Sequence, residues 1–358
     1  MIVNHLKLTN FRPYFNLKLD FNESVNLIYG PNASGKTSIL EAIYFLSSGN
    51  SFKTSNSRDL INKEKDYLFV ECIVSNLKGP FKLTGYVDEK IKKMTISGKT
   101  VKKTLDLVGL LKVVDFSSSD LFLLLGYGKD RMKLFDKIIC QISKDYANLY
   151  ILLNRLVNER NEALKRLKIE NGAKLQTYFE SINLEYIKAY SAFIELRKKY
   201  INVISPYIMK IHKKISLGEE IEIVYKPCSE IIGLEQNLRN SFTQDVEKGY
   251  TTCSYKRDDC IFIINNKNTL KYFSQGQQKN LLISLKLAFA EYLKDVSGES
   301  PIILLDDVFG DLDKNRQNML LQTLDNQYQT ILTTSSIGDL NSDLIKNFNV
   351  INIEKGCI

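Results

Sequence analysis

Gly30-Pro31-Asn32-Ala33-Ser34-Gly35-Lys36-Thr37 fits G-x-x-x-x-G-K-[ST] and stands between the strand-like run Val25-Asn26-Leu27-Ile28-Tyr29 and a helical run from Ser38 to Leu46. That setting gives the pattern its meaning. The glycines let the backbone fold so tightly that successive N–H groups point inward at phosphate oxygens, Lys36 reaches the β- and γ-phosphates, and the Thr37 hydroxyl is placed to ligate Mg²⁺. Gly30, Asn32, Ala33, Ser34, Gly35, Lys36, Thr37 and Ser38 are therefore the expected contacts of a nucleoside triphosphate.

A second element supports this reading. Pro301-Ile302-Ile303-Leu304-Leu305 is an unbroken apolar run, as in parallel strands buried on both faces, and it ends in Asp306-Asp307. In P-loop enzymes the first acid of such a pair holds Mg²⁺ and the second orients or deprotonates the attacking water. Asp306 is thus expected at the metal with Thr37, and Asp307 with Lys36 at the chemistry.

The 358 residues exceed one average domain, and 44% hydrophobic content suffices for a core with a second lobe. No apolar run approaches the roughly 18 residues of a membrane span and the polar N-terminus carries no signal-peptide pattern, so a cytosolic protein is expected. Cys72, Cys140, Cys228, Cys253, Cys260 and Cys357 are scattered without a C-x-x-C pair, as reduced thiols are. His5 and His212 are the two histidines, which argues against histidine-based catalysis.

Net charge is +8, from 49 Lys+Arg against 41 Asp+Glu. Lys90, Lys92, Lys93, Lys99, Lys102 and Lys103 form an acid-free stretch that reads as a hairpin turning near Ser97-Gly98. Lys92, Lys93, Lys102 and Lys103 are candidate DNA contacts; a solvated edge whose lysines discourage sheet-to-sheet pairing explains them equally well. Arg155, Arg160, Lys165, Arg166 and Lys168, then Arg197-Lys198-Lys199, Lys210, Lys213 and Lys214, read mostly as helix surface.

Periodicity sets the organisation. Met1 to Leu8, Leu17 to Phe21, Leu68 to Val74 and Phe81 to Val87 are strand candidates around the P-loop helix. From Asp130 to about Lys168, and again from about Ala173 to Tyr200, apolar residues recur at helical spacing, and about 40 residues of helix would span roughly 60 Å. Strand signals return at Glu220 to Tyr225 and Cys260 to Ile264, where Asn265-Asn266 suggests a hairpin. The expected fold is α/β, mixed sheets around the P-loop helix with an inserted helical lobe. Residues 1–125 would form the N-terminal ATPase part, 126–250 the helical arm and 251–358 the C-terminal ATPase part.

The most discriminating motif is Phe273-Ser274-Gln275-Gly276-Gln277-Gln278, which opens the apolar helix Leu281 to Leu293 shortly before the acidic strand. It resembles the LSGGQ-type signature of ABC-type ATPases. A serine hydroxyl, a glycine N–H and the positive end of a helix dipole converge there on a phosphate. In that superfamily the phosphate belongs to ATP held by another subunit, so Ser274, Gly276 and Gln277 would close a dimer around nucleotide. Gly310-Asp311-Leu312-Asp313 looks like the D-loop lining the dimer seam.

With these residues in hand the chain resembles the RecF family of bacterial replication and repair proteins, related to the heads of SMC and Rad50 proteins. The likeness runs through Asn10-Phe11-Arg12, Gly35 to Tyr44, Arg257-Asp258-Asp259, Ser274 to Gln278 and Leu304 to Val308. It implies ATP-dependent dimerisation on DNA, weak ATP hydrolysis, Arg12 as a further nucleotide contact, and cooperation with RecR and RecO to load RecA at gapped DNA. A nucleoid-associated location goes with that role.

Three departures stand out. Ser254-Tyr255-Lys256 replaces the family's Gly-Pro-His, Phe116-Ser117-Ser118-Ser119-Asp120 replaces its Phe-Ser-Pro-Glu-Asp, and Asp307 is one methylene shorter than the Glu of ABC transporters, which implies slower hydrolysis. Two other classes fit less well. A transporter subunit would carry a His after Thr330-Ile331-Leu332, where Thr333-Thr334-Ser335-Ser336 stand, and an SMC- or Rad50-like tether would need far longer arms than the hundred or so middle residues provide.

Overall fold

The computed structural model describes residues 1–117, 119–170, 172–264, 267–268, 270–324, 327–335 and 345–354. Ser118, the Asn265-Asn266 turn, Ser336 and Cys357 lie outside the described residues. The first third runs β1 (Ile2–Phe11), β2 (Tyr14–Asp20), β3 (Val25–Tyr29), α1 (Lys36–Ser48), β4 (Tyr67–Asn76), β5 (Gly79–Asp88), β6 (Lys92–Ile96), β7 (Lys99–Thr100), β8 (Val113–Ser117) and α2 (Ser119–Leu125). There follow α3 (Gly128–Ile142), α4 (Lys144–Leu167), α5 (Ala173–Ile215), β9 (Ile221–Lys226), α6 (Leu234–Asn240), α7 (Phe242–Lys248), β10 (Asp259–Ile264) and β11 (Lys267–Asn268). The chain closes with α8 (Gln275–Ser297), β12 (Ile302–Asp306), α9 (Lys314–Leu324), β13 (Thr330–Thr334) and β14 (Asn349–Asn352).

The chain divides into two units, Met1–Leu121 with Leu281–Ile358, and Phe122–Asn280. Residues 251–280 join the helical unit because β10 pairs with β9 and because Thr251 and Thr252 bond to Arg160 and Asp245.

In the first unit, five parallel strands lie in the order β14-β3-β13-β12-β8, and six antiparallel strands in the order β2-β1-β4-β5-β6-β7. Strands covered on both faces must be apolar throughout, which is why Ile302 to Leu305 are all buried. The antiparallel strands alternate instead: Leu68, Val70, Cys72 and Val74 point into the core while Tyr67 and Ile73 face solvent. Helix α1 packs on strands of both sheets, burying Ile39, Leu40, Ile43 and Leu46. Each such side chain contributes about 1.5–3 kcal/mol. The basic hairpin is present, turning through Ser97 and Gly98 at φ 46° and 85°, the positive values a two-residue turn requires.

The second unit is mainly helical and holds a small sheet, β11-β10-β9. The run expected from 130 to 168 is two helices, because Ser143 caps a new start by accepting the Tyr146 N–H at 3.2 Å. Helix α5 continues well past Tyr200, and its 43 residues span about 64 Å. Two residues read as surface are not: Arg160 is 0% exposed and Arg197 1%. Arg160 bonds to Asp245 at 2.8 Å, and Arg197 to Asp136 at 2.8 Å and Asp258 at 2.7 Å. No helix among the described residues is long and apolar enough to cross a membrane.

Candidate functional site

The loop between β3 and α1 is shaped by two glycines. A Cβ on Gly30 would sit 2.1 Å from the Ile353 carbonyl oxygen, and Gly35, at φ 107°, would put one 2.7 Å from Tyr14 Oη. No other residue fits either place without moving backbone or a buried ring. Ala33 is also left-handed, at φ 64°. The Lys36 ammonium turns back on the loop, donating to the carbonyls of Gly30 at 2.7 Å and Pro31 at 2.8 Å. Burial lowers its pKa, opposed by Asp307 and Asp306. The Ser34 hydroxyl is buried and has no hydrogen-bond partner among the described residues, while Asn32 and Ala33 are exposed. A curled lysine, an unsatisfied hydroxyl and the start of a helix suit an incoming anion.

Next to this lysine, the Thr37 hydroxyl donates to Asp306 Oδ1 at 2.7 Å. Between them in strand order lies β13, whose Thr333 is in register with Asp306 and donates to the same oxygen at 3.0 Å. Thr333 also accepts the Asp307 N–H at 3.1 Å. Asp307 itself is exposed and left-handed, at φ 53°, where a residue other than glycine is uncommon. A hydroxyl and a carboxylate in contact are oxygen donors of the kind a hard divalent cation takes, so this pair fits Mg²⁺.

Other residues brace the site. Arg12, at φ 54°, forms a two-point pair with the buried Glu41 of α1, at 3.0 and 2.9 Å, and Ser51 donates to the same carboxylate. After β8, Asp120 accepts the Ser117 N–H at 2.7 Å and pairs at 2.9 Å with Lys286 of α8, both buried. Gln317 of α9 donates to the carbonyls of Phe309 and Leu312 at 2.7 and 3.0 Å, pinning the segment after Asp307. Sequence reasoning missed Glu41, Lys286, Thr333 and Gln317. In sequence, its place directly after the strand run Thr330-Ile331-Leu332 is the signal for Thr333.

In the second unit, Ser274 and Gln277 form a reciprocal cap at the start of α8. The Gln277 N–H donates to Ser274 Oγ at 3.2 Å and the Ser274 N–H to Gln277 Oε1 at 3.0 Å. Among the described residues this leaves the Ser274 O–H and the first-turn N–H groups of Gln275 and Gly276 as donors, and Ser274 is exposed. Of Arg257-Asp258-Asp259, Asp258 is taken up by Arg197, Tyr190, Tyr225 and the Cys228 N–H, and Asp259 by a two-point pair with Arg131. Those acids hold the helical unit together. Tyr255 of the divergent segment is buried there too, donating to Asn154 at 2.6 Å.

The candidate DNA lysines do not share one face. Lys93 is opposite Tyr86 on the solvent face of the sheet, whereas Lys92 lies on the inner face with its ammonium 5.5 Å from the Phe45 ring centroid. Partial burial lowers the Lys92 pKa. Lys102 and Lys103 are exposed.

The solved structure of the recombination mediator protein RecF-ATPrS in the RecFOR pathway matches with a TM-score of 0.91 at 29% identity, covering 99% of this chain and 97% of that one. A Smc head domain of Pyrococcus furiosus shares the fold at a TM-score of 0.55 and 17% identity, over 99% and 94%. Fold and loop together define a P-loop ATPase head of the ABC type. The RecF/RecN/SMC N terminal domain family matches residues 2–357, and the DNA replication and repair protein RecF of Lachnoclostridium phytofermentans is 35% identical over 100% of this chain and 99% of its own. The chain belongs to the RecF family of DNA replication and repair proteins.

Proposed function

We propose that the chain is an ATP-dependent, DNA-binding recombination mediator. In this reading Lys36 and the loop from Gly30 to Ser38 hold the triphosphate, with Arg12 beside them, and Thr37 with Asp306 hold Mg²⁺. The metal, when bound, would neutralise phosphate charge. Asp307 positions or deprotonates water, Ser274 with Gly276 donates to the γ-phosphate carried by a second copy, and Gln277 caps the helix start that presents them. ATP then closes a dimer on DNA, preferably duplex near single-strand gaps, and slow hydrolysis reopens it. Cooperation with RecR and RecO in loading RecA accords with the family.

The observation that carries this reading is the contact of Thr37 with Asp306 at 2.7 Å beside a lysine engaged with its own loop's carbonyls. Sizing by light scattering tests it, with ATP, ADP or no nucleotide, each with and without duplex DNA. Dimers are expected with ATP alone, and Ser274→Arg should stay monomeric. A monomer at saturating ATP, with or without DNA, would overturn the dimer clamp.

A further inference from the structure

We infer that Glu219 is a positioning residue for the signature helix, an inference that rests on the reading in which Ser274 serves a second copy's nucleotide. The Gln277 side chain is held at both ends. Its Oε1 accepts the Ser274 N–H at 3.0 Å, and its Nε2 donates to Glu219 Oε1 at 2.6 Å. A carboxylate only accepts, so Glu219 forces the amide's NH₂ toward itself and its oxygen toward Ser274. Turned the other way, the amide would face Ser274's N–H with a second donor and the cap would break.

The backbone places Glu219 through a strained turn. Helix α5 ends with the Gly218 N–H donating to the Lys213 carbonyl at 2.9 Å, the six-to-one closure that puts the intervening residue in the left-handed region. That residue is Leu217, at φ 59° and 96% exposed, where glycine is usual. Ser216 reinforces the turn by donating to the His212 carbonyl at 2.7 Å. The second Glu219 oxygen lies 3.8 Å from Nε2 of the buried His212. A leucine held in that conformation sets the direction in which the chain leaves α5, and so where Glu219 stands.

Glu219→Leu removes the acceptor, and Glu219→Gln keeps one. ATP-driven dimerisation of the full chain should weaken on the order of tenfold or more in Glu219→Leu, one cap being loosened at each of two sites, and recover in Glu219→Gln. ATP binding to the monomer should be unchanged in both. Amide exchange across residues 270–280 should quicken in Glu219→Leu while the P-loop and its strands exchange as in the parent. Wild-type dimerisation in Glu219→Leu, while Ser274→Arg abolishes it, overturns the role of Glu219 alone. Wild-type dimerisation in Ser274→Arg overturns the reading beneath it.

Discussion

Thr37 and Asp306 lie 269 positions apart in the chain and meet at 2.7 Å, hydroxyl to carboxylate, with Thr333 donating to the same oxygen from the strand between them. Three parallel strands in the order β3-β13-β12 bring this about, because their carboxyl ends fall side by side. Ligands of open α/β sheets bind at such an edge. Thr37 and Thr333 both donate their hydroxyl protons to Asp306 Oδ1, so two hydroxyls hold the carboxylate in one orientation.

Asp306→Asn keeps the size and the hydrogen-bond geometry but loses the charge. Nucleotide binding should persist, since Lys36 and the loop amides are untouched. Steady-state ATP hydrolysis should fall about 10²- to 10³-fold, the usual cost of removing one preorganised electrostatic group. Phosphate release measured beside fluorescent-nucleotide affinity separates the two effects.

The P-loop, the acidic strand and the helical insertion were legible because each has a period or spacing that the chain must obey locally. Val25 to Tyr29 reads as a strand and Ile302 to Leu305 as a buried parallel strand, and both are parallel strands of the structure. What stayed hidden depends on which side chains meet across long separations. Arg160 and Arg197 look like helix surface in sequence, since a charged residue on a helix usually is; their burial depends on Asp245, Asp136 and Asp258 arriving from elsewhere in the chain. The Arg-Asp-Asp motif was visible as a motif, yet its structural use was not. Ser143 could have been read as a helix start, being a serine followed by Lys144-Asp145, but the apolar rhythm running through it masked the break.

Arg197 gives the sharpest stability prediction. It is 1% exposed, pairs with two buried aspartates and stacks its guanidinium 4.4 Å from the Phe193 ring centroid. Arg197→Met should cost about 3–5 kcal/mol in urea unfolding, because it strands Asp136 and Asp258 without their cation. Adding Asp136→Asn and Asp258→Asn should return part of that loss. If the single variant unfolds like the parent, the network is not what holds the helical unit together.

His212 should make stability depend on pH. Burial lowers its pKa below the ordinary value near 6.5, with Glu219 opposing, so between the lowered and the ordinary value the unfolded chain binds a proton that the folded one refuses. Its contribution is therefore intact above about pH 6.5 and is lost as pH falls below it. Urea unfolding of the parent and of His212→Leu, compared at pH 7.5 and 5.5, should show a smaller loss in the variant. Equal losses would remove His212 as the cause.

Lys92 and Lys93 are neighbours in sequence, yet the pleat sends them to opposite faces, so charge reversal should do different things at the two positions. On the proposed DNA-binding reading, Lys93→Glu with Lys102→Glu and Lys103→Glu should weaken duplex binding and flatten its salt dependence. Every phosphate that is no longer neutralised takes about 0.9 from the slope of log affinity against log salt. Lys92→Glu instead places a carboxylate against Phe45 and should lower the melting temperature while leaving the slope near that of the parent. Anisotropy of a labelled duplex, titrated with salt, measures the first, and thermal unfolding the second. An unaltered slope in the triple variant would mean that the hairpin's lysines merely guard a sheet edge.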